Sequence, residues 1–234
     1  MNLSTILIEL NIPHDIIGND YFESLGFVND VSEKALCSFA TEKEASEKIS
    51  DSISLVITSD SERDSFAGRN LCVVSDPEKT FFAVHEYLLD CDKYRRFRFK
   101  SLINRTAKIS SNACIAEENV IIGSGTVIEA CAVIKENTTI GDNTVVRSGS
   151  IIGGSGLMHN HGGGVVIGSD VVMQYNCCIE KALFPWKDTK ISDGTRIDSL
   201  VHIVQGEWIE HDAVVLSTIG RAVETTKDSD KAQQ

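Results

Sequence analysis

Aliphatic residues recur at every sixth position through the second half of this chain of 234 residues. They stand at Ile122, Ile128, Ile134, Ile140, Val146 and Ile152, at Ile167, Met173 and Ile179, and at Ile191, Ile197, Ile203, Ile209 and Val215. Ile109 and Ile115 continue the series displaced by one residue. Four residues after each comes a small or apolar side chain: Thr126, Ala132, Thr138, Thr144, Ser150, Gly156, Val171, Cys177, Thr195, Val201 and Ala213. An amphipathic helix repeats near 3.6 and an ordinary strand near 2, so a strict six fits neither. It fits a parallel β-helix, in which each hexad makes one short strand and a corner, with the aliphatic residue in a stacked core and the small residue in the tight space beside it. Gly123 and Gly141 lie 18 residues apart, one coil of three hexads, and are expected to stack at the same corner. Sixteen repeats predict about five coils. Breaks at 157–166 (LMHNHGGGVV) and 182–190 (ALFPWKDTK) are expected to be loops ejected from a continuous prism.

The first half has a different grammar. Eleven of the 15 aromatics lie before residue 101 and 14 of the 17 glycines after residue 120, which puts a boundary near 101. Residues 53–58 (ISLVIT) and 71–74 (LCVV) read as short strands. Asp76-Pro77 supplies an N-cap and a first-turn proline, and Phe81, Phe82, Val84, Leu88 and Leu89 then give an amphipathic helix. Residues 44–49 (EASEKI) read as a weaker one. The fold class is therefore mainly β: a parallel β-helix over 101–221 preceded by a small α/β domain over 1–100, with a polar tail over 222–234.

Composition narrows the function. With 34 acidic against 22 basic residues, a formal charge of −12, the chain lacks the basic face that phosphate binding demands, so nucleic acid is not an expected partner. The one basic cluster, KYRRFRFK at 93–100, reads as a solvated connecting segment. Seven cysteines without C-x-x-C spacing indicate neither a disulfide framework nor a zinc ribbon, and most are expected to be small buried residues. No apolar run approaches the roughly 20 residues of a spanning helix, and the first residues lack the basic and small-residue pattern of a signal peptide. The expected location is the cytoplasm.

The hexads resemble the left-handed β-helix acyltransferases, and among these the UDP-3-O-acylglucosamine N-acyltransferase branch of lipid A synthesis. The resemblance rests on the small α/β domain before the repeat, on 148–156 (SGSIIGGSG) opening a loop, and on 197–203 (IDSLVHI). It implies left-handed coils, a homotrimer with sites in clefts between prisms, and acyl transfer from acyl-CoA or acyl-carrier protein to a nucleotide-linked sugar, with no tightly bound cofactor. The chain departs from that branch in several places. Gln205 stands where the branch has its catalytic histidine, and a glutamine amide has no usable basicity near neutral pH. Ser155, Leu157 and His159 replace an Asp and two aromatics, and Ser38, Thr41 and Glu44 replace the residues that hold uracil. After residue 221 the sequence reads as a polar tail rather than the helical extension associated with acyl-carrier protein docking.

Acyl transfer needs a base for the nucleophile's proton and donors for the tetrahedral oxyanion. His202 is expected to point outward in the same coil as Gln205, as base or substrate ligand, with Gln205 orienting; the alternative is a surface histidine. His159 and His161 lie in a break read either as a flexible loop or as a substrate contact beside Gly154 and Ser155; metal binding by the H-x-H pair is disfavoured because the further spaced histidines are absent. Glu207 occupies an inward phase, so either the coil bulges to expose it or it replaces the missing base. Phe184 and Trp186 are expected to be exposed, covering the pantetheine arm of the donor or packing on a neighbouring prism. Trp208 is a further donor-side candidate, Asp198 a substrate-side one, and Tyr175 a lesser one. No Ser, Cys or Lys stands in a nucleophile motif, so direct attack in a ternary complex is expected. A catalytically silent homologue that binds a sugar nucleotide or acts as a scaffold is the competing reading.

Overall fold

The computed structural model describes residues 1–41 and 49–217, together with the backbone of 225–226. Residues 44–48 of the expected helix over 44–49, including Glu44, and nearly all of the tail fall outside these. Two compact units divide the chain, Met1–Arg95 and Arg96–Gln234.

In the first unit, Ser24–Leu25, Leu36–Phe39, Ile53–Thr58 and Asn70–Val73 run parallel, and Asp15–Ile17 joins the far edge antiparallel to Asn70–Val73. Ile53–Thr58 is central and buried at five of its six positions, as a continuous β-branched and apolar run requires. The helix Pro77–Leu88 starts where the sequence puts it, with the Asp76 carboxylate accepting from Lys79 N at 3.0 Å. Phe81 packs on Phe39 with ring centroids 5.1 Å apart. The helix also buries His85, which the hydrophobic pattern did not mark and which contacts the Tyr94 hydroxyl.

The second unit is the expected coil, a mainly β fold of the left-handed parallel β-helix class. Its strands form three sheets, parallel throughout except where Thr225–Thr226 joins the end of the first antiparallel to Val214–Val215. The first carries Lys108–Ile109, Val127–Ile128, Val145–Val146, Val172–Met173, Arg196–Ile197 and Val214–Val215. The second carries Cys114–Ile115, Val133–Ile134, Ile151–Gly154, Cys178–Glu180 and His202–Ile203, and the third runs from Leu102–Ile103 to Trp208–Ile209. Five coils thus place a strand on every face. The hexad aliphatics from Ile122 to Val215 are buried, and Thr126, Thr138, Thr144, Ser150 and Thr195 fill the adjoining inward places. The hydroxyls of Thr126, Thr144, Ser150 and Thr195 bond main-chain carbonyls, as when Thr126 Oγ1 donates to Gly141 O at 2.6 Å, so burial leaves these polar groups paired, whereas the buried Thr138 hydroxyl finds no partner among the described residues.

The corners explain the glycines. A Cβ on Gly123 would stand 2.6 Å from the main chain of Gly141, and one on Gly141 2.6 Å from that of Gly168. The stacking therefore leaves no room for a side chain. Two residues on, at the same corner, the left-handed conformation falls in register on Gly125, Asn143, Asp170, Gly194 and Asp212.

Successive coils measure 19, 18, 27, 24 and 18 residues, read from the partners of Lys108, Val127, Val145, Val172, Arg196 and Val214. The excess in the two long coils is the two ejected loops. They are shorter than the breaks in the repeat, 155–163 and 181–187, because Gly164–Ile167 and Asp188–Ile191 already lie in the third sheet. Both leave the prism at the corner between the second and third sheets.

Two sequence expectations need correction. Arg96 is not part of a solvated connector, since it binds Pro185 O, Lys187 O and the Asp188 carboxylate, whereas Arg98 is exposed in its pair with Glu118. Only Cys37, Cys72 and Cys177 of the seven cysteines are buried, and Cys114 and Cys131 are exposed, because those two sit on the outer face and at a corner of the prism, where the hexad places no core residue. Among the described residues no helix is long and apolar enough to cross a membrane.

Candidate functional site

The site is built where both loops meet the last complete coil. Cys178 and Glu180 alternate outward with Ile179 inward on their strand, and His202 lies beside Cys178 in register on the next. The His202 side chain is 53% exposed, and its Nε2 is 3.0 Å from Glu180 Oε1. Since a carboxylate only accepts, Nε2 carries the hydrogen and Nδ1 is the acceptor nitrogen. Glu180, 14% exposed at its side chain, is held from its other oxygen by Gln205 N at 3.2 Å. An oriented imidazole with an open acceptor nitrogen is the arrangement a general base needs. Glu180 was missed by sequence reasoning.

Gln205, expected to orient, is half-buried. Its Oε1 accepts from Leu183 N at 3.3 Å and ties the second loop to the coil. Glu207 is exposed, yet the coil does not bulge. Lys190 N donates to Glu207 O at 2.8 Å, and Lys190 and Ile191 pair with Trp208 and Ile209 without a register shift. The space beneath is closed by buried Thr189, whose hydroxyl accepts from Gly206 N at 2.8 Å.

His161 is buried between the loops, with Nδ1 donating to Lys181 O at 2.7 Å and Nε2 accepting from Gly156 N at 3.3 Å. Both ring nitrogens are thereby committed in the neutral form. Burial pushes its pKa below the ordinary histidine value, outweighing the Lys181 carbonyl and Glu180, which act the other way. His159 is half-buried in the same loop, Ser155 is exposed, and Gly154 accepts from Lys181 N through its carbonyl at 2.9 Å. Among the described residues no group of three His, Cys, Asp or Glu side chains is arranged to hold a metal ion.

Lys181, nearly buried, pairs with Glu136 at 3.5 Å; burial lowers its pKa and Glu136 opposes this. Cys178 is half-buried, its thiol pKa raised by burial and then by Glu180. Phe184, expected to be exposed, is buried, because the loop folds its ring inward and lays it parallel to Trp186 at 6.4 Å. Trp186 is the half-exposed member of that stack. Trp208 lies outward on the third sheet beside Lys190, its Nε1 donating to Ser192 Oγ at 3.1 Å. Asp198 is exposed at the preceding corner, as is Tyr175, whose ring lies 5.5 Å under the Arg147 guanidinium. Neither joins the Glu180–His202 pair by a described contact. A cavity of about 700 Å³ opens elsewhere, at the first coil, lined by Arg98, Ser101, Ile103, Ile115 and Glu118 among others.

Comparison with known proteins agrees with this class of coil. Residues 119–154 match the family model of the bacterial transferase hexapeptide (six repeats). The chain is 38% identical over 90 residues to a UDP-3-O-acylglucosamine N-acyltransferase of Wolinella succinogenes, covering 34% of this chain and 28% of the relative. Among solved structures it is similar to a UDP-N-acetylglucosamine acyltransferase from Campylobacter jejuni, 26% identical with a TM-score of 0.42, covering 49% of this chain and 48% of the other. PerB from Caulobacter crescentus, solved with CoA and GDP-perosamine, is 15% identical with a TM-score of 0.25, covering 55% and 58% of the two chains. Over part of its length the coil is thus similar to hexapeptide-repeat acyltransferases. The chain spans under a third of the length of its curated relative and about half that of the Campylobacter enzyme.

Proposed function

We propose that the protein is an acyltransferase that moves an acyl group from a thioester, acyl-CoA or acyl-carrier protein, to the amino or hydroxyl group of a nucleotide-linked sugar. The observation that carries this reading is the His202 imidazole held by Glu180, with Nδ1 left to accept a proton. In the reaction the acceptor's nitrogen or oxygen attacks the thioester carbonyl while its proton passes to His202 Nδ1. The tetrahedral adduct collapses, the carbon–sulfur bond breaks, and the leaving thiolate takes the proton back. Glu180 stabilises the imidazolium formed between these steps. Trp186, backed by the buried Phe184, forms the donor side, and Gly154, Ser155, His159 and Asp198 are assigned to the acceptor. The likeness to sugar-nucleotide acyltransferases supports the substrate class, in lipid A-like or surface polysaccharide synthesis. The working form is a cytoplasmic homotrimer.

The second reading, a silent homologue that binds a sugar nucleotide, is favoured by one observation: the Gln205 amide is committed to the loop rather than to chemistry. A thiol-release assay with acyl-CoA and acyl-carrier-protein donors against a panel of amino- and hydroxy-sugar nucleotides separates the two. Acceptor-dependent thiol release supports the enzyme, and saturable nucleotide-sugar binding without release supports the silent homologue.

A further inference from the structure

We propose that Arg96 is a positioning residue for the acyl-donor side of this site, fixing the loop over 181–187 so that Trp186 forms a rigid wall for the donor's pantetheine arm. The inference rests on the acyltransfer reading above. Arg96 Nε donates to Pro185 O at 2.7 Å, and Nη2 donates to Lys187 O at 2.7 Å and to Asp188 Oδ1 at 2.6 Å. The two carbonyls bracket Trp186, so one planar guanidinium fixes the main chain on both sides of the indole. A lysine, with a single ammonium, cannot reproduce that fork. Room for it exists because Gly164 has no side chain: a Cβ there would stand 2.7 Å from Arg96 Nη1.

The rest of the loop is bonded as fully. Lys181 O accepts from His161 Nδ1, Ala182 O from Gly163 N, Leu183 O from Gly162 N and Phe184 O from Lys187 N. Buried Phe184 backs the Trp186 ring in parallel, with the planes 2° apart, and Lys187 Nζ lies 5.7 Å from that ring's centroid. The result is a flat, half-exposed aromatic face on a loop whose carbonyls are committed. Gln205 joins this wall to the base, since its side chain holds Leu183 N and its own N–H holds Glu180. A thioester whose carbonyl reaches His202 therefore runs past a surface that Arg96 positions.

The test uses Trp208→Phe, which leaves Trp186 as the sole tryptophan, with Arg96→Gln and Arg96→Lys added to it. Coenzyme A is expected to change Trp186 emission. Arg96→Gln should raise the coenzyme A Kd and the donor KM about tenfold, the scale of losing a charge-assisted hydrogen bond. Against the Trp208→Phe parent, kcat and acceptor KM should stay within about twofold. Arg96→Lys should recover part of the loss, and acrylamide should quench Trp186 more in Arg96→Gln. Absence of a coenzyme A response in the parent overturns the proposal. So does an unchanged donor KM, or a fall in kcat with both KM values moving together, in either Arg96 variant. Thiol release with a donor KM indifferent to Arg96 sinks this inference and leaves the acyltransfer reading standing. An Arg96-dependent coenzyme A response without thiol release does the reverse.

Discussion

Glu180 and His202 meet across neighbouring strands of one sheet, the imidazole Nε2–H directed at a carboxylate oxygen 3.0 Å away. The carboxylate is the shielded partner and the imidazole the exposed one, so the anchor is fixed while the acceptor nitrogen remains within reach of a substrate.

Glu180→Gln keeps an acceptor for Gln205 N and removes the charge that steadies the imidazolium. We expect kcat to fall about 10- to 100-fold with both KM values within about twofold, on the scale of impaired general-base catalysis. Steady-state kinetics with circular dichroism as a folding control decides it; an unchanged kcat would show that His202 acts without this carboxylate.

His161 predicts a pH dependence of stability. Its pKa is lowered in the folded state, so the unfolded chain binds the proton more readily. Stability is therefore full above the ordinary histidine value and declines as pH falls from there toward the depressed folded value. His161→Gln should flatten this part of the Tm-against-pH curve while costing about 1–2 kcal/mol at pH 8 through the lost loop bonds. Equal slopes in the two proteins would place the titration elsewhere.

Gly163 is crowded by backbone. A Cβ would meet Ala182 O, Lys187 O and Phe184 O at 2.5–2.6 Å, whereas one on Gly154 would find nothing nearer than 3.9 Å. Gly163→Ala should cost about 2–3 kcal/mol and Gly154→Ala under about 0.5 kcal/mol in urea unfolding. Similar losses at both would mean the loops do not pack this closely.

Leu200 holds φ at 63° while 68% exposed, at a corner where the equivalent residues of other coils include Gly149 and Asn176. Leu200→Gly should stabilise by about 0.5–1 kcal/mol by relieving left-handed strain without losing buried contact. A lower Tm would mean that the leucine side chain contributes packing worth more than the strain.

The prism was legible because its core positions repeat at a fixed interval and its inward residues are chosen by space. Gly123 and Gly141 stack as their 18-residue separation implies. The pairing of Glu180 with His202 was not legible, because it depends on a coil lengthened to 24 residues by the second loop. Hexad arithmetic carries each residue 18 positions on and would set Arg196 beside Cys178, where the lengthened coil sets His202. Glu207 illustrates the converse, since its phase marks it as inward while its side chain is exposed under an undisturbed backbone ladder. The contacts of Arg96 cross about 90 residues to carbonyls of an ejected loop, and no periodicity encodes them.

The most direct measurement is thiol release by wild type and His202→Ala with the same acyl donor and sugar-nucleotide acceptor. If His202 is the base, kcat/KM falls about 10²- to 10⁴-fold in the variant, the usual worth of a positioned general base, while nucleotide-sugar binding is retained. Full activity in His202→Ala would contradict the account.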